Sequence, residues 1–532
     1  MNDFDLCSKI WSEYESLVDY MTENDVYEIV KKNERFFNGR HWDGLSSSYF
    51  SKPTMNLLQR IGKYQIANLG SNDVGILIES LVGGEALNEN LKIVSKEVRR
   101  IIEVSKILEA SRLAIRDGFV DGASYMMQSF DADYETGQDS KGTIINELLD
   151  MRRVLFGNPY SNNIQKQPYI IVVLRQYTNT VKEEAEKYGC KNIEDIKGDT
   201  DDNYDEDKGN RLCTVLIKFF RKKKIIEEVK TTIDENGQEV SYIEQKEINT
   251  VHFVKVTKNA VIIPETDLGY SRYPIARFGW DNRKDSFLFD TPMTWNIENQ
   301  VFINKMYSCI QSYIERNGIP KKLIDTTKVA MDDVNEEELG IAGLDILGKF
   351  MDFSKAPDFS NQVIAVIEKT ETEMEKNMGV NDAALGNVKP ENTSAIIALQ
   401  DAAAVPLEIQ RQNLKEMWED VIRNIIDIMT TCYHERMLPD EDGNPVIVDF
   451  DQLKGINYNL NVDTGSSQQY SEIVAINNLS SMLNNGQIDL ETFVELVPNK
   501  MLGGNKIPLK KFAQEQAKAQ EQLANIQQNV QL

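Results

Sequence analysis

The chain has 532 residues, 41% of them hydrophobic and 27% charged, which is the make-up of a globular chain of several domain-sized units. Its net charge of −25 repels phosphate at long range and excludes a generally tight DNA-binding surface. No run of about 18 apolar residues occurs, which excludes a transmembrane helix. The opening MNDFDLCSKIWSEYES is acidic and has no basic stretch followed by an apolar core, so no secretory leader is expected. Cys7, Cys190, Cys213, Cys309 and Cys432 are odd in number, scattered and never in CxxC spacing, and read as reduced thiols.

Phe4, Ile10, Trp11, Tyr14, Leu17, Val18 and Met21 recur at helical spacing in residues 1–36. DVYEIVKKNERFF predicts a second helix, with Asp25 as N-cap and Asn38-Gly39 as its stop. A loop closed by Pro53 leads into a helix carrying Met55, Leu58, Ile61 and Ile66. Residues 86–118 read as one more helix, ending near Asp117-Gly118. From about 120 to 280 short β-branched runs broken by turn residues predict strands. Within them, Asn236-Gly237 is a strong hairpin signal. KNIEDIKGDTDDNYDEDKGN, dense in acid and almost free of apolar residues, reads as a solvated or disordered loop. Asp199, Asp201 and Asn203 there have the spacing of the first ligands of a calcium loop. Tyr204 stands where the sharp turn needs glycine, however, and Asn210 where the bidentate glutamate belongs.

After Pro292 the pattern is helical. Phe302, Met306, Cys309, Ile310 and Tyr313 form one broad face that stops at Asn317-Gly318. A mixed segment from Ile319 to Pro357 follows. Val363, Ile367, Thr370, Met374 and Met378 then make a stripe ending at Gly379. GVNDAALGNVKPENTSAIIALQDAAAVP is a loop leading to a helix start at Asn392-Thr393. The apolar period resumes after Pro406, which predicts a long helix to about Thr430, kinked by the missing N–H and the ring clash at the proline. PVIVDF and YNLNV are short strands, and the chain is helical from Ser466, with a Gln- and Ala-rich tail.

Catalytic chemistry is not legible. His41, His252 and His434 lie on different kinds of element with no second His or Cys at ligand spacing, and His41 in GRHWDG reads as turn packing. There is no GxxxxGK[ST] phosphate loop and no GxGxxG; Gly503-Gly504 reads as a turn. Carboxylates are too abundant, at 84, for any one pair to stand out as an acid and base. The basic runs at Arg221–Lys224 and Lys321-Lys322 read as a solvated strand edge and an isolated pair.

The order of particular strings carries a resemblance. NERFFNGRHWDG before KPTMNLLQRI, RYPIARFGW before a helix ending ERNGIPKKLI, and GVNDAALGNVKPENTSAIIALQDAAAVP together resemble the portal proteins of tailed bacteriophages. The resemblance spans about residues 30 to 460; the C-terminal 70 or so residues carry no comparable signature. It implies an α+β, mainly helical fold with wing, stem, clip and crown regions. Residues 1–290 become the wing, 291–317 and 358–378 the stem helices, and 318–357 the clip. Residues 379–392 become a tunnel loop, 393–465 a long kinked helix with returning strands, and 466–532 the crown. Gly379, Asn381, Asp382, Gly386, Asn387, Lys389 and Asn392 would face DNA, Pro406 would kink the helix, and Phe302, Met306, Tyr313, Val363, Ile367 and Met374 would pack the stem. The resemblance further implies a ring, usually of twelve subunits, at one capsid vertex of the virion, assembled in the host cytoplasm. Its partners would be the major capsid protein, a terminase ATPase, a tail adaptor and double-stranded DNA, with no membrane, cofactor or metal and no catalysis. Two other classes stay open on the residues alone: an enzyme acting on nucleic acid through an unrecognised carboxylate site, and an acidic protein-binding scaffold.

Overall fold

The computed structural model describes residues 3–44, 51–70, 74–80, 85–137, 141–199, 211–233, 239–317, 322–324, 351–353, 361–380, 405–439, 445–456, 458–463, 479–483, 485 and 488–497. Two helices open the chain, α1 (Asp3–Glu23) and α2 (Val26–Phe37). Asp25 stands at the N-cap position of α2 as expected, but at φ 57° it is a left-handed corner and its side chain makes no cap bond. The stop at Asn38 and Gly39 is as the sequence reads, with Gly39 at φ 77°. Next come α3 (Leu57–Gly70), β1 (Gly75–Ser80), α4 (Glu85–Val104) and α5 (Ile107–Asp121). The single helix expected over 86–118 is thus two. Lys106, at φ 51°, makes the break, and α5 runs on through Gly118 to a stop at Gly122, φ 105°. A lysine gives no breaker signal, and Gly118 stays helical because a ring needs its missing Cβ.

The strands that follow are β2 (Ala123–Asp131), β3 (Thr143–Asp150), β4 (Val154–Phe156) and β5 (Tyr169–Tyr177). After α6 (Thr178–Lys187) come β6 (Leu212–Ile233), β7 (Glu239–Val256), β8 (Val261–Asp267), β9 (Ile275–Gly279), β10 (Asp281–Asn282) and β11 (Phe289–Asp290). Strands β3-β2-β9 form one sheet and β4-β5-β6-β7-β8 another, antiparallel throughout. The β6–β7 pair is the longest. It runs from Leu216 opposite Val256 to Ile233 opposite Glu239, the register of a hairpin around Asn236-Gly237, which themselves lie outside the described residues. β5 leaves β6 at Phe220 and β8 leaves β7 at His252, so beyond those points the pair is a two-stranded ribbon about 40 Å long at the usual rise per residue. The basic run stands where β6 loses β5. Lys223 pairs with Glu247 on the neighbouring β7 at 2.9 Å, while Lys222 and Lys224 reach across β7 to Glu265 and Asp267 on β8, the latter at 2.8 Å, so these cations lace three strands together. The acidic stretch before β6 is less solvated than its composition suggests, since Ile196 is buried. Asp199 accepts a hydrogen bond from Thr214 Oγ1 at 2.7 Å; Asp201 and Asn203 lie outside the described residues.

The helix α7 (Pro292–Asn317), the short strands β12 (Lys322–Ile324) and β13 (Met351–Phe353), and α8 (Asn361–Asn377) follow. β12 pairs antiparallel with β13. Most of the expected clip lies outside the described residues. A 3-10 turn, Val405–Leu407, leads into α9 (Glu408–Cys432), and β14 (Glu435–Pro439), β15 (Pro445–Asp449) and β16 (Tyr458–Asp463) complete the series. β16 returns to pair with β1, a strand the sequence reading missed, as it did β14.

The core gathers where α5, the β3-β2-β9 sheet and α9 meet. Phe119, Phe278 and Trp280 touch edge to face, and Tyr125, Phe156 and Phe287 continue the cluster. α9 buries Leu414, Met417, Trp418, Val421, Ile422, Ile425 and Met429, a stripe at three- and four-residue spacing. Asp427 fixes its far end by accepting from the Ser271 N–H at 2.8 Å and the Arg272 N–H at 3.0 Å. The chain is therefore mixed α+β, in two compact units, residues 1–388 with 403–464 and residues 389–402 with 465–532. In the second, the helix Leu490–Leu496 is capped by Asp489, whose Oδ1 accepts from the Thr492 N–H at 3.0 Å, and Val494 and Val497 are buried. Beyond these, residues 479–483, 485 and 488 are described, and the remainder of the expected crown lies outside the described residues.

A Cβ on Gly118 would stand 2.5 Å from Cδ1 and Cε1 of Phe278, a ring with no exposed surface and no room to retreat. Gly→Ala inside an exposed helix gains about 0.5–1 kcal/mol, whereas overpacking a core costs about 1–3 kcal/mol. Gly118→Ala is therefore expected to lower the thermal unfolding midpoint; a rise would mean that α5 and β9 are farther apart than described.

Candidate assembly site

Along α7, Asn296, Gln300, Asn304, Ser308 and Ser312 recur every four residues and so share one face of the helix. All five are buried. Buried polar side chains are normally hydrogen-bonded; four of these five are, chiefly to backbone, while Ser312 Oγ has no partner. Gln300 Oε1 accepts from the N–H groups of Leu57 at 2.9 Å and Leu58 at 3.3 Å, while its Nε2 donates to the Met55 carbonyl. Asn304 Oδ1 accepts from the Met55 N–H at 3.1 Å. Ser308 donates to the Ser51 carbonyl at 2.6 Å. Asn56, three residues after Pro53, caps α3 from within, its Oδ1 accepting from the Gln59 N–H at 3.0 Å. The first three N–H groups of α3 are thus satisfied, two of them by a side chain more than two hundred residues away in sequence.

His41 completes the clasp. Its Nε2 lies 2.8 Å from the Phe36 carbonyl and its Nδ1 2.7 Å from Asn304 Nδ2, so Nε2 carries the proton and the ring is neutral. Burial holds its pKa below the ordinary histidine value, opposed by the bond to Phe36. The ring stacks on Phe36, and Trp42 Nε1 donates to the Pro53 carbonyl at 3.0 Å. These contacts are those of a packed turn.

α7 and α8 form an antiparallel pair joined by β12 and β13. Tyr307 Oη donates to Glu371 Oε1 at 3.2 Å between them. Of the expected stem residues, Ile367 and Met374 are buried, while Val363, Phe302, Met306 and Tyr313 are half-buried. The most buried face of α7 is the amide ladder with Met293, Ile297 and Ile303 beside it, and the apolar face read from the sequence is its flank. Apolar periodicity passes over polar side chains that bond to backbone. The four-residue recurrence of amides and hydroxyls was the available signal. Trp295, Ile314, Ile364 and Val366 present large apolar surface outward, each at least 44% exposed.

Gly379, at φ 71°, closes α8, and Met378 and Val380 on either side are buried. Gln65 donates to the Met378 carbonyl, and Arg60 pairs with Glu375 at 2.6 Å, so α3 holds the end of α8. A Cβ on Gly379 would stand 3.1 Å from Cβ of Pro406. The two ends of the intervening segment therefore meet. Asn381, Asp382, Gly386, Asn387, Lys389 and Asn392 fall within that segment, outside the described residues. Pro406 sits in the 3-10 turn at the head of α9, and the upstream part of the kinked helix expected over 393–430 is likewise outside.

No nucleophile is set up by the remaining histidines. Thr250 Oγ1 lies 3.3 Å from His252 Nε2, with Glu265 3.1 Å from Nδ1, but Thr250 is buried within the Lys222–Glu265 and Lys224–Asp267 ion pairs. His434 is exposed beside Asp451. Among the described residues, one carboxylate trio, Glu34, Asp117 and Asp121, is close enough to share a metal ion. No described helix is long and apolar enough to cross a membrane.

A model of the phage P22-like portal protein family matches residues 16–532 of this chain. No curated protein is significantly similar to it.

Gln300→Leu keeps the volume and removes the acceptor and donor. It leaves the Leu58 N–H buried and unpaired and takes one of two partners from the Leu57 N–H and the Met55 carbonyl, which stay bonded to each other at 2.9 Å; the cost is about 1–3 kcal/mol for a group that water cannot reach. The variant is expected to unfold at lower temperature and to be cut by protease between residues 51 and 58; wild-type resistance there would mean that the ladder is not what holds that segment.

Proposed function

The chain belongs to the P22-like phage portal protein family, a structural family, and we propose that it assembles into a ring of about twelve copies at one capsid vertex. That ring is a channel for DNA packaging and ejection and the platform on which the packaging motor and the tail adaptor dock. The observation that carries this reading is the pair of closed excursions from one body. The α7–α8 hairpin sends out residues 318–360 and takes them back through the β12–β13 pair. Immediately afterwards, Gly379 and Pro406 bring together the two ends of the next segment. One excursion suits a clip that meets the motor or adaptor, and the other suits a loop that faces DNA.

In this reading residues 291–317 and 358–378 are stem helices and residues 1–290 the wing. Residues 379–392 are the tunnel loop, 393–465 the long helix with its returning strands and 466–532 the crown. Gly379, Asn381, Asp382, Gly386, Asn387, Lys389 and Asn392 offer small polar surface that lets DNA pass without gripping it. The acid excess serves the same end, because each phosphate neutralised by Lys or Arg adds affinity that must be lost again during translocation. The missing phosphate loop makes the motor a separate ATPase. The protein does no bond-making chemistry and ends in the virion, at the vertex.

The outward apolar residues of α7 and α8 are the surface offered to neighbouring copies. Ile364→Asp, at a position 44% exposed, is expected to leave the subunit folded and to abolish rings in sedimentation. Ile367→Asp buries an unpaired carboxylate and is expected to lose both rings and stability. Normal rings from both variants would remove α8 from the stem. For the loop, Lys389→Glu turns one positive charge per subunit into a negative one. Rings are expected to form normally and DNA packaging or retention to change; unaltered packaging would take Lys389 off the channel wall.

A further inference from the structure

Glu34 on α2 and Asp117 and Asp121 on α5 bring a carboxylate oxygen each to within 4.8 Å of one another. Asp117 and Asp121 are four residues apart and so share a helix face, an arrangement that repels when both are charged. Arg116 offsets part of this. Its Nη1 donates to Glu34 Oε1 at 2.5 Å and to Asp117 Oδ1 at 2.8 Å, and its Nη2 to Glu34 Oε2 at 2.7 Å. Asp121 gets no such help. Only 6% of it is exposed, and its Oδ1 has no hydrogen-bond partner. Asp150 adds a further negative charge nearby, paired with Arg152, while Arg153 acts on Asp150 from an exposed position. When all four are ionised, the carboxylates Glu34, Asp117, Asp121 and Asp150 outnumber the two paired guanidiniums of Arg116 and Arg152 by two.

We propose that Glu34, Asp117 and Asp121 form a binding site for one divalent cation of the size of calcium, seated between α2 and α5. Calcium–oxygen bonds are about 2.3–2.6 Å, so two oxygens on opposite sides of one ion stand about 5 Å apart and three spread evenly around it about 4–4.5 Å. The trio, within 4.8 Å of one another, lies at the outer edge of that range. Magnesium, at about 2.1 Å, needs a tighter set. Three protein oxygens do not fill the six to eight positions calcium prefers. A cavity of about 130 Å³ opens beside Asp121, lined also by Asn24, Arg283, Asp290, Thr291 and Thr294, and brings water to that carboxylate but not to Glu34 or Asp117. Carboxylate oxygens each accept more than one partner, so Arg116 can stay in place behind the ligands. Burial first, and then the nearby carboxylates of Glu34, Asp150 and Asp117, push the Asp121 carboxyl up to about 8, opposed by the charge of Arg116. The site lies at the root of α7, where Asn33 Nδ2 bridges the Val120 carbonyl and Thr294 Oγ1, so its ion braces α2, α5 and α7 together.

The test is thermal unfolding of the full chain, stripped of metal, at pH 7 and pH 9, with calcium chloride or with sodium chloride at equal ionic strength. Calcium at about a thousand times its dissociation constant is expected to raise the midpoint by about 3–4 °C. Magnesium is expected to shift it less. Asp121→Asn is expected to remove the response, and Asp117→Asn, which keeps the buried carboxylate, to weaken it. Calorimetric titration is expected to find one tight ion per chain. No calcium shift at pH 9 would overturn the site. So would an equal shift in wild type and both variants, which would be diffuse counter-ion binding to an acidic chain.

Discussion

The amide ladder of α7 is the constraint on which the first unit depends. Each backbone N–H removed from water must find an acceptor. The stretch from Ser51 to Leu58 cannot supply all of its own, since it joins a turn to the first residues of a helix. Gln300 and Asn304 supply what is missing. The consequence is topological. The start of α3 has its N–H groups fully satisfied only when the helix that begins at Pro292 is in place. Contacts of such long sequence separation slow folding, because loop closure must precede the gain.

Much of this was legible in the sequence, and the misses have physical causes. Where apolar period and punctuation agree, as in α2, α7 and α8 with their glycine or asparagine stops, the elements stand as read. The break at Lys106 was invisible because a residue held left-handed by packing leaves no mark in its identity. β1 and β14 were missed because each is short and pairs with a strand that says nothing about its partner. The basic run on β6 read as an open edge, which it is on the side where β5 ends, but its pairing with Glu265, Glu247 and Asp267 depends on register that composition does not carry. In the candidate site, Ile367 and Met374 were legible as buried, whereas Gln300 and Asn304 were overlooked for being polar.

The acid excess also reaches inside. Asp117, Asp281, Asp420 and Asp427 are all pushed above the usual carboxylate range, each first by burial. Some are matched, Asp420 by Arg272 at 2.6 Å and Asp427 by the backbone of Ser271 and Arg272. Their raised values make them easier to protonate in the folded chain than in the unfolded one. The stability they contribute is full below the unfolded carboxylate range and declines as pH rises through their folded values.

The β6–β7 ribbon carries a consequence of another kind. Beyond Phe220 and His252 no described strand pairs with either of its outer edges, so two rows of backbone donors and acceptors stand open over much of its length. Open edges recruit strands from other molecules, and a protein that reaches high local concentration before it assembles is most at risk. The residues of the ribbon are suited to that hazard. IIEEVKTTI on one strand and EVSYIEQKEI on the other interrupt every apolar pair with charge, and no stretch is uncharged long enough to seed a sheet between molecules. Glutamates and lysines placed among the apolar residues of the ribbon oppose sheet growth, and substitutions that made it more apolar would favour pairing between molecules as well as within one.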